Sequence, residues 1–193
     1  MQKCDAEALL EFCKDLPEGK NSSVHISKVR IVKAEEQIEL APKSIEEIVA
    51  YTNNFLKMLG MKPKRNPVVN LINEKIDYNR IKIANNMDDK RDIVWMKFTT
   101  DNYLGVVATS NDINFLIPKT REQYNLKNNN KWMYNTSGII VHHLNKLWNK
   151  NFVLIFPLVN IPKGLRRGDI ERGIGNYLIS KNVPILDFYS HNY

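Results

Sequence analysis

The sequence predicts an α/β fold of the α+β kind: a central mixed sheet in which a three-stranded antiparallel meander is followed by α-β-α-β, with helices packed on the sheet. Two stretches carry that prediction. From Ile93, Val94, Met96 and Phe98 alternate with Trp95, Lys97 and Thr99, Asp101-Asn102 turns the chain, and Leu104 to Thr109 returns as a second strand. Further on, Phe152 to Leu158 is a near-continuous apolar run, the mark of a strand covered on both faces. The totals agree, because 193 residues with 43% hydrophobic and 25% charged side chains suffice for one sizeable core, or for one core with a small lobe.

Taken in order, Asp5 to Lys14 shows Ala8, Leu9, Phe12 and Cys13 at helical spacing and predicts a short helix that stops before Pro17 and Gly19. On such a helix Cys4 and Cys13 lie on opposite sides, which excludes a disulfide between them and leaves small half-buried apolar residues. Val24, Ile26, Val29, Ile31 and Val32 predict one or two strands within Val24 to Leu40, broken at Lys33 to Glu36. Ser44-Ile45-Glu46-Glu47 is a capping box that starts a helix from Ile45 to Leu59, with Gly60 as its stop. Lys62 to Asn66 holds Pro63 and three cations, with Pro67 next, and reads as a hinge between residues 1–61 and a body at 62–193. Val68 to Asp92 has no clear pattern beyond a turn at Asn85 to Lys90. Ile113 to Ile117 is the expected third strand of the meander, and Lys119 to Lys131 an exposed loop. Thr136 or Ser137 caps a helix running to about Asn149, burying Ile140, Leu144, Leu147 and Trp148. After the apolar strand come a Gly- and Arg-rich loop, a helix from Ile170 to Lys181, and a strand from Pro184 to Phe188.

Charge divides the chain. Residues 1 to 56 carry seven Lys/Arg against ten Asp/Glu, or −3, which leaves +10 for residues 57 to 193. A basic body attracts polyanions through steering and counterion release, nucleic acid being the commonest. The 24 asparagines, with abundant Lys and Ile, equally fit the coding bias of an AT-rich genome, such as that of a mobile genetic element, and that bias raises Lys without a functional cause. No apolar run reaches roughly 18 residues, and the start of the chain lacks the pattern of a secretory signal, so a cytoplasmic protein with no membrane partner is expected.

Candidate chemistry gathers in the last thirty residues. The final strand, helix and strand form a β-α-β unit, and in a parallel pair the segments following both strands lie at one edge of the sheet, where open α/β sheets place ligand crevices. The first segment contains Lys163, Arg166 and Arg167, with Arg172 just inside the helix; the second contains Asp187, Tyr189, Ser190 and His191. Gly164, Gly168, Gly173 and Gly175 are four of the chain's eight glycines, and a Gly-bearing loop entering a helix can hold a phosphate beside the arginines. The spacing matches neither the dinucleotide fingerprint nor the Walker loop, so no cofactor is named. A plainer role also fits: Asp169 pairs with Arg172 three residues on, and Gly173 and Gly175 allow close helix-to-sheet packing. Asp187 and His191 have the spacing to share a metal ion or a proton in flight as catalytic groups, and Tyr189 can stack on a base.

Other constellations fail. His142 and His143 are adjacent, which helix geometry turns about 100° apart, and neither has a second ligand at i, i+4. From Ser44 to Leu158 the predicted order of helix, meander, helix and strand is similar to the core of the restriction-endonuclease fold. That family's metal site needs an acid near one strand's end and Asp/Glu-x-Lys on the next. Here Asp88-Asp89-Lys90 sits in a turn and Asp101 and Asp112 lack the lysine, so no catalytic residue is carried over. The leading expectation is a binding protein for nucleic acid or another phosphate-bearing ligand, with Lys163, Arg166, Arg167, Arg172 and Tyr189 as contacts. A metal-dependent nuclease or hydrolase using Asp187 and His191 is the second, and a protein-interaction module or inhibitor that docks a protein partner is the third.

Overall fold

The structure, a computed structural model, describes residues 9–13, 28–62, 66–71, 92–110 and 139–187. Leu9 to Cys13 make a helical turn with Leu9 and Cys13 buried, and Cys4 lies outside the described residues. Two helices follow, α1 at Lys28–Ile38 and α2 at Ile45–Met58, then strands β1 at Val68–Asn70, β2 at Ile93–Phe98 and β3 at Leu104–Ser110. A short helix α3 at Ile139–His143, strand β4 at Phe152–Pro157, helix α4 at Arg167–Ser180 and strand β5 at Ile185–Asp187 complete them.

Helix α1 stands where strands were expected in the second part of Val24 to Leu40, and Val24 and Ile26 lie outside the described residues. Ile31, Ala34 and Ile38 recur at helical spacing, with Ala34 fully buried beside Ile140, while Val32 faces outward. Burial of one helical stripe outweighs the β preference of the branched side chains. The Tyr103 hydroxyl donates to the Ile38 carbonyl at 2.8 Å and ties the end of α1 to the β2–β3 turn. Helix α2 follows its sequence: Glu47 N–H donates to Ser44 Oγ, Ser44 N–H donates to Glu47 Oε2, and Gly60 takes φ +78° just past the end.

The five strands form one mixed sheet in the order β1-β4-β2-β3-β5. Strands β2 and β3 are the expected hairpin, turned through Asn102 at φ +68°. Its second neighbour is β4, antiparallel to both β2 and β1, while the segment Ile113 to Ile117, expected as the third meander strand, lies outside the described residues. Strand β5 is parallel to β3, not to an adjacent β4. The β4-α4-β5 crossover therefore passes over β2 and β3. β4 and β5 still run in the same direction, about 14 Å apart across the sheet.

Helices cover both faces. On one, α2, α4 and the turn at 9–13 bury Phe55, Ile170, Ile174 and Leu178 against Met96, Phe98, Val107, Leu154 and Phe156. This cluster draws residues from both sides of the segment Lys62 to Asn66. On the other, α3 brings Val141 against Trp95, Val106, Val153 and Ile155. Helix α3 ends at His143, well short of the expected Asn149, and Leu147 is 71% exposed instead of buried. Asn145 turns at φ +53°, after which Thr100 N–H donates to the Leu147 carbonyl and Asn149 N–H to the Phe98 carbonyl. The chain is thereby laid beside the end of β2, with Trp148 bridging Thr99. Trp148 occupies the space that a Cβ on Gly105 would need, at the irregular step of the β2–β3 register, and carries Lys97 Nζ 4.6 Å from its ring centroid.

Candidate functional site: a basic cleft at one edge of the sheet

Register places the end of β4 beside the beginning of β2 and the end of β3, since Pro157 pairs with Ile93 and Ile93 with Ser110. Leu158 N–H donates to the Asp92 carbonyl at 2.8 Å, and Thr109 Oγ1 donates to the Ile93 carbonyl at 2.8 Å. The chain then leaves the sheet through Ile161 and makes a tight turn, closed by Leu165 N–H to the Pro162 carbonyl, that needs Gly164 at φ +91°. It enters α4 from Arg166, whose backbone is extended. Between this loop, the first turns of α4 and the strand ends lies a cleft of about 520 Å³. Asp92, Thr109, Ile161, Leu165, Arg166, Arg167, Gly168, Asp169 and Arg172 line it.

Among the described residues, three arginines and two aspartates line the cleft. Arg166 N–H donates to Asp169 Oδ2 at 2.7 Å, so a carboxylate of the chain itself satisfies part of the helix N-terminus. Arg172 donates from one nitrogen to Asp169 Oδ1 at 3.3 Å and to the Cys13 carbonyl at 2.9 Å, and is half-buried. Arg167 donates to Asp92 Oδ1 at 3.2 Å, with both side chains well exposed at 43% and 36%. The Arg166 guanidinium is exposed and pairs with no described residue.

The structure thus brings Arg166, Arg167 and Arg172 to one cleft. Lys163 is exposed at the tight turn and does not line it. Asp187 does not line it either: its partner on β3 is Val106, four residues short of Ser110, which sets it back from the edge by about 13 Å. It is fully buried, and its Oδ2 accepts from Ile140 N–H at 3.4 Å at the start of α3. His191, Tyr189 and the side chain of His142 lie outside the described residues, and His143 is exposed. Among the described residues no group of three or more His, Cys, Asp or Glu is placed to hold a metal ion, and no helix is long and apolar enough to cross a membrane.

Both the ionic and the packing readings of the glycine-rich segment have a counterpart. The Asp169–Arg172 pair forms as spacing predicts. Gly173, however, packs against a helix and the N-terminal turn instead of the sheet, since a Cβ there would meet Cys13 Sγ at 2.5 Å and Phe55 Cζ at 2.7 Å. Asp92 and Thr109 carry no local signal in the sequence as cleft residues beyond their place at the outer end of the clearest strand pair. Comparison with protein-family models, with curated proteins and with solved structures gives no match to this chain.

Proposed function

We propose that the protein binds a phosphate-bearing polyanion, nucleic acid being the commonest, through the cleft at the start of α4. The observation that carries this reading is that Arg166, Arg167 and Arg172 line one open cleft. Arginine forks suit phosphate oxygens because two parallel N–H groups meet two oxygens in one plane. The +10 carried by residues 57 to 193 supplies a long-range attraction of the same sign.

The test is the double variant Arg166→Ala/Arg167→Ala in a titration of labelled oligonucleotide. Both side chains are exposed, so the variant keeps its circular dichroism and melting temperature. Affinity is expected to fall about tenfold, and the slope of log affinity against log salt to become shallower by about one to two. Equal affinity and slope for both proteins would remove these arginines from the interface.

A further inference from the structure

Resting on that reading, we infer that Asp92 is an internal rival of the ligand: its carboxylate holds Arg167 in the free protein, and a phosphate of the ligand takes that arginine over on binding. Arg167 Nη1 donates to Asp92 Oδ1 at 3.2 Å, across 75 positions of sequence. Asp92 belongs to the sheet wall of the cleft. Its carbonyl accepts from Leu158 N–H at 2.8 Å, and Ile93, which follows it, pairs with both Ser110 and Pro157. Arg167 belongs to the opposite wall, as the first residue of α4. The pair therefore closes across the cleft that the ligand enters.

Two ion pairs lie in the described lining, and exposure separates them. The Asp169–Arg172 side chains are only 20% and 15% exposed, and Arg172 also holds the Cys13 carbonyl, so withdrawing it strands partly buried groups. Asp92 and Arg167 are well exposed, so water replaces either partner and the pair contributes little. The two side chains also differ in reach. The Asp92 carboxylate sits on a short stem at a strand end, whereas Arg167 has a long stem with many rotamers, so the arginine is the group that moves. A phosphate draws it away because two coplanar oxygens meet two parallel N–H groups, where the Asp92 carboxylate accepts from one nitrogen.

The probe is the labelled oligonucleotide, titrated against the wild-type chain, Asp92→Asn, Arg167→Ala and the Asp92→Asn/Arg167→Ala combination. Asp92→Asn changes an exposed side chain and keeps the backbone carbonyl that holds Leu158, so it folds as the wild type does. It is expected to bind roughly threefold more tightly, the weight of one exposed ion pair. The same change made in Arg167→Ala gives a smaller gain, because there Asp92 repels the ligand but withholds nothing from it. An equal or larger gain in Arg167→Ala reduces Asp92 to a repelling charge and overturns the rivalry. Unchanged or weaker binding by Asp92→Asn overturns it too, weaker binding making Asp92 a group that aims Arg167. Each of these outcomes leaves the phosphate-binding reading standing. Failure of the oligonucleotide to bind both the wild-type chain and Asp92→Asn, or binding untouched by Arg166→Ala/Arg167→Ala, overturns that reading and the rivalry with it.

Discussion

Thr52 lies on the inward face of α2 with no solvent exposure, and its Oγ1 has no hydrogen-bond partner among the described residues. A buried hydroxyl without a partner forfeits its hydration and recovers nothing, at a cost of about 1 to 3 kcal/mol. Thr52→Val keeps the shape and removes the hydroxyl, so denaturant titration should give a gain of about 1 kcal/mol with an unchanged slope. A loss of stability would mean that the hydroxyl is satisfied after all. Asp187 contrasts with it, being as deeply buried but holding Ile140 N–H. At this scale local partners were legible and distant ones were not. The Asp169–Arg172 pair is visible as i, i+3 spacing, whereas the Arg167–Asp92 pair joins residues that only the sheet brings together.

Elements whose boundaries are written in local chemistry were legible. Ser44, Glu47 and Gly60 bracket α2, and the alternation at Val94, Met96 and Phe98 marks β2. Where a tertiary partner decides the outcome, the sequence misleads: α1 reads as strand until Ala34 and Ile38 find their burial, and α3 reads long until Trp148 is drawn beside Gly105. Helix α4 shows what such a partner does. Arg172 and Asn176 donate to the carbonyls of Cys13 and Phe12, both at 2.9 Å, and Gly173 lets the Cys13 sulfur settle between them. Burial, with Asp169 adding to it and Arg172 opposing, pushes the Cys13 thiol up to about 11. The reactive thiolate is therefore scarce at mildly alkaline pH unless the turn detaches. With Cys4→Ser removing the other thiol, labelling of Cys13 should be slow in the native chain and faster by roughly fivefold in Asn176→Ala, which loses one hydrogen bond of about 1 kcal/mol. An unchanged labelling rate would show that Asn176 does not hold the turn.

For the whole molecule, the fold class was foreseeable and the strand order was not. Alternating and continuous apolar runs identify strands, but nothing in Pro184 to Asp187 states that its partner is β3 and not β4. That pairing explains why Asp187 stays set back from the cleft, while the β4–β2–β3 register brings Arg166 and Arg167 to Asp92 and Thr109. It also governs what happens if the last strand is missing. The β2–β3 hairpin closes through a short local turn, whereas β5 reaches β3 only after the chain has crossed two strands. A chain cut before Ile185 therefore keeps a paired hairpin but bares the outer side of β3, a row of unmated backbone groups between Leu104 and Val106 flanked by apolar side chains. Light scattering should find that fragment self-associating where the intact chain is monodisperse, and a monodisperse fragment would refute it. β5 then serves as a guard against edge-to-edge aggregation, a duty separate from any ligand.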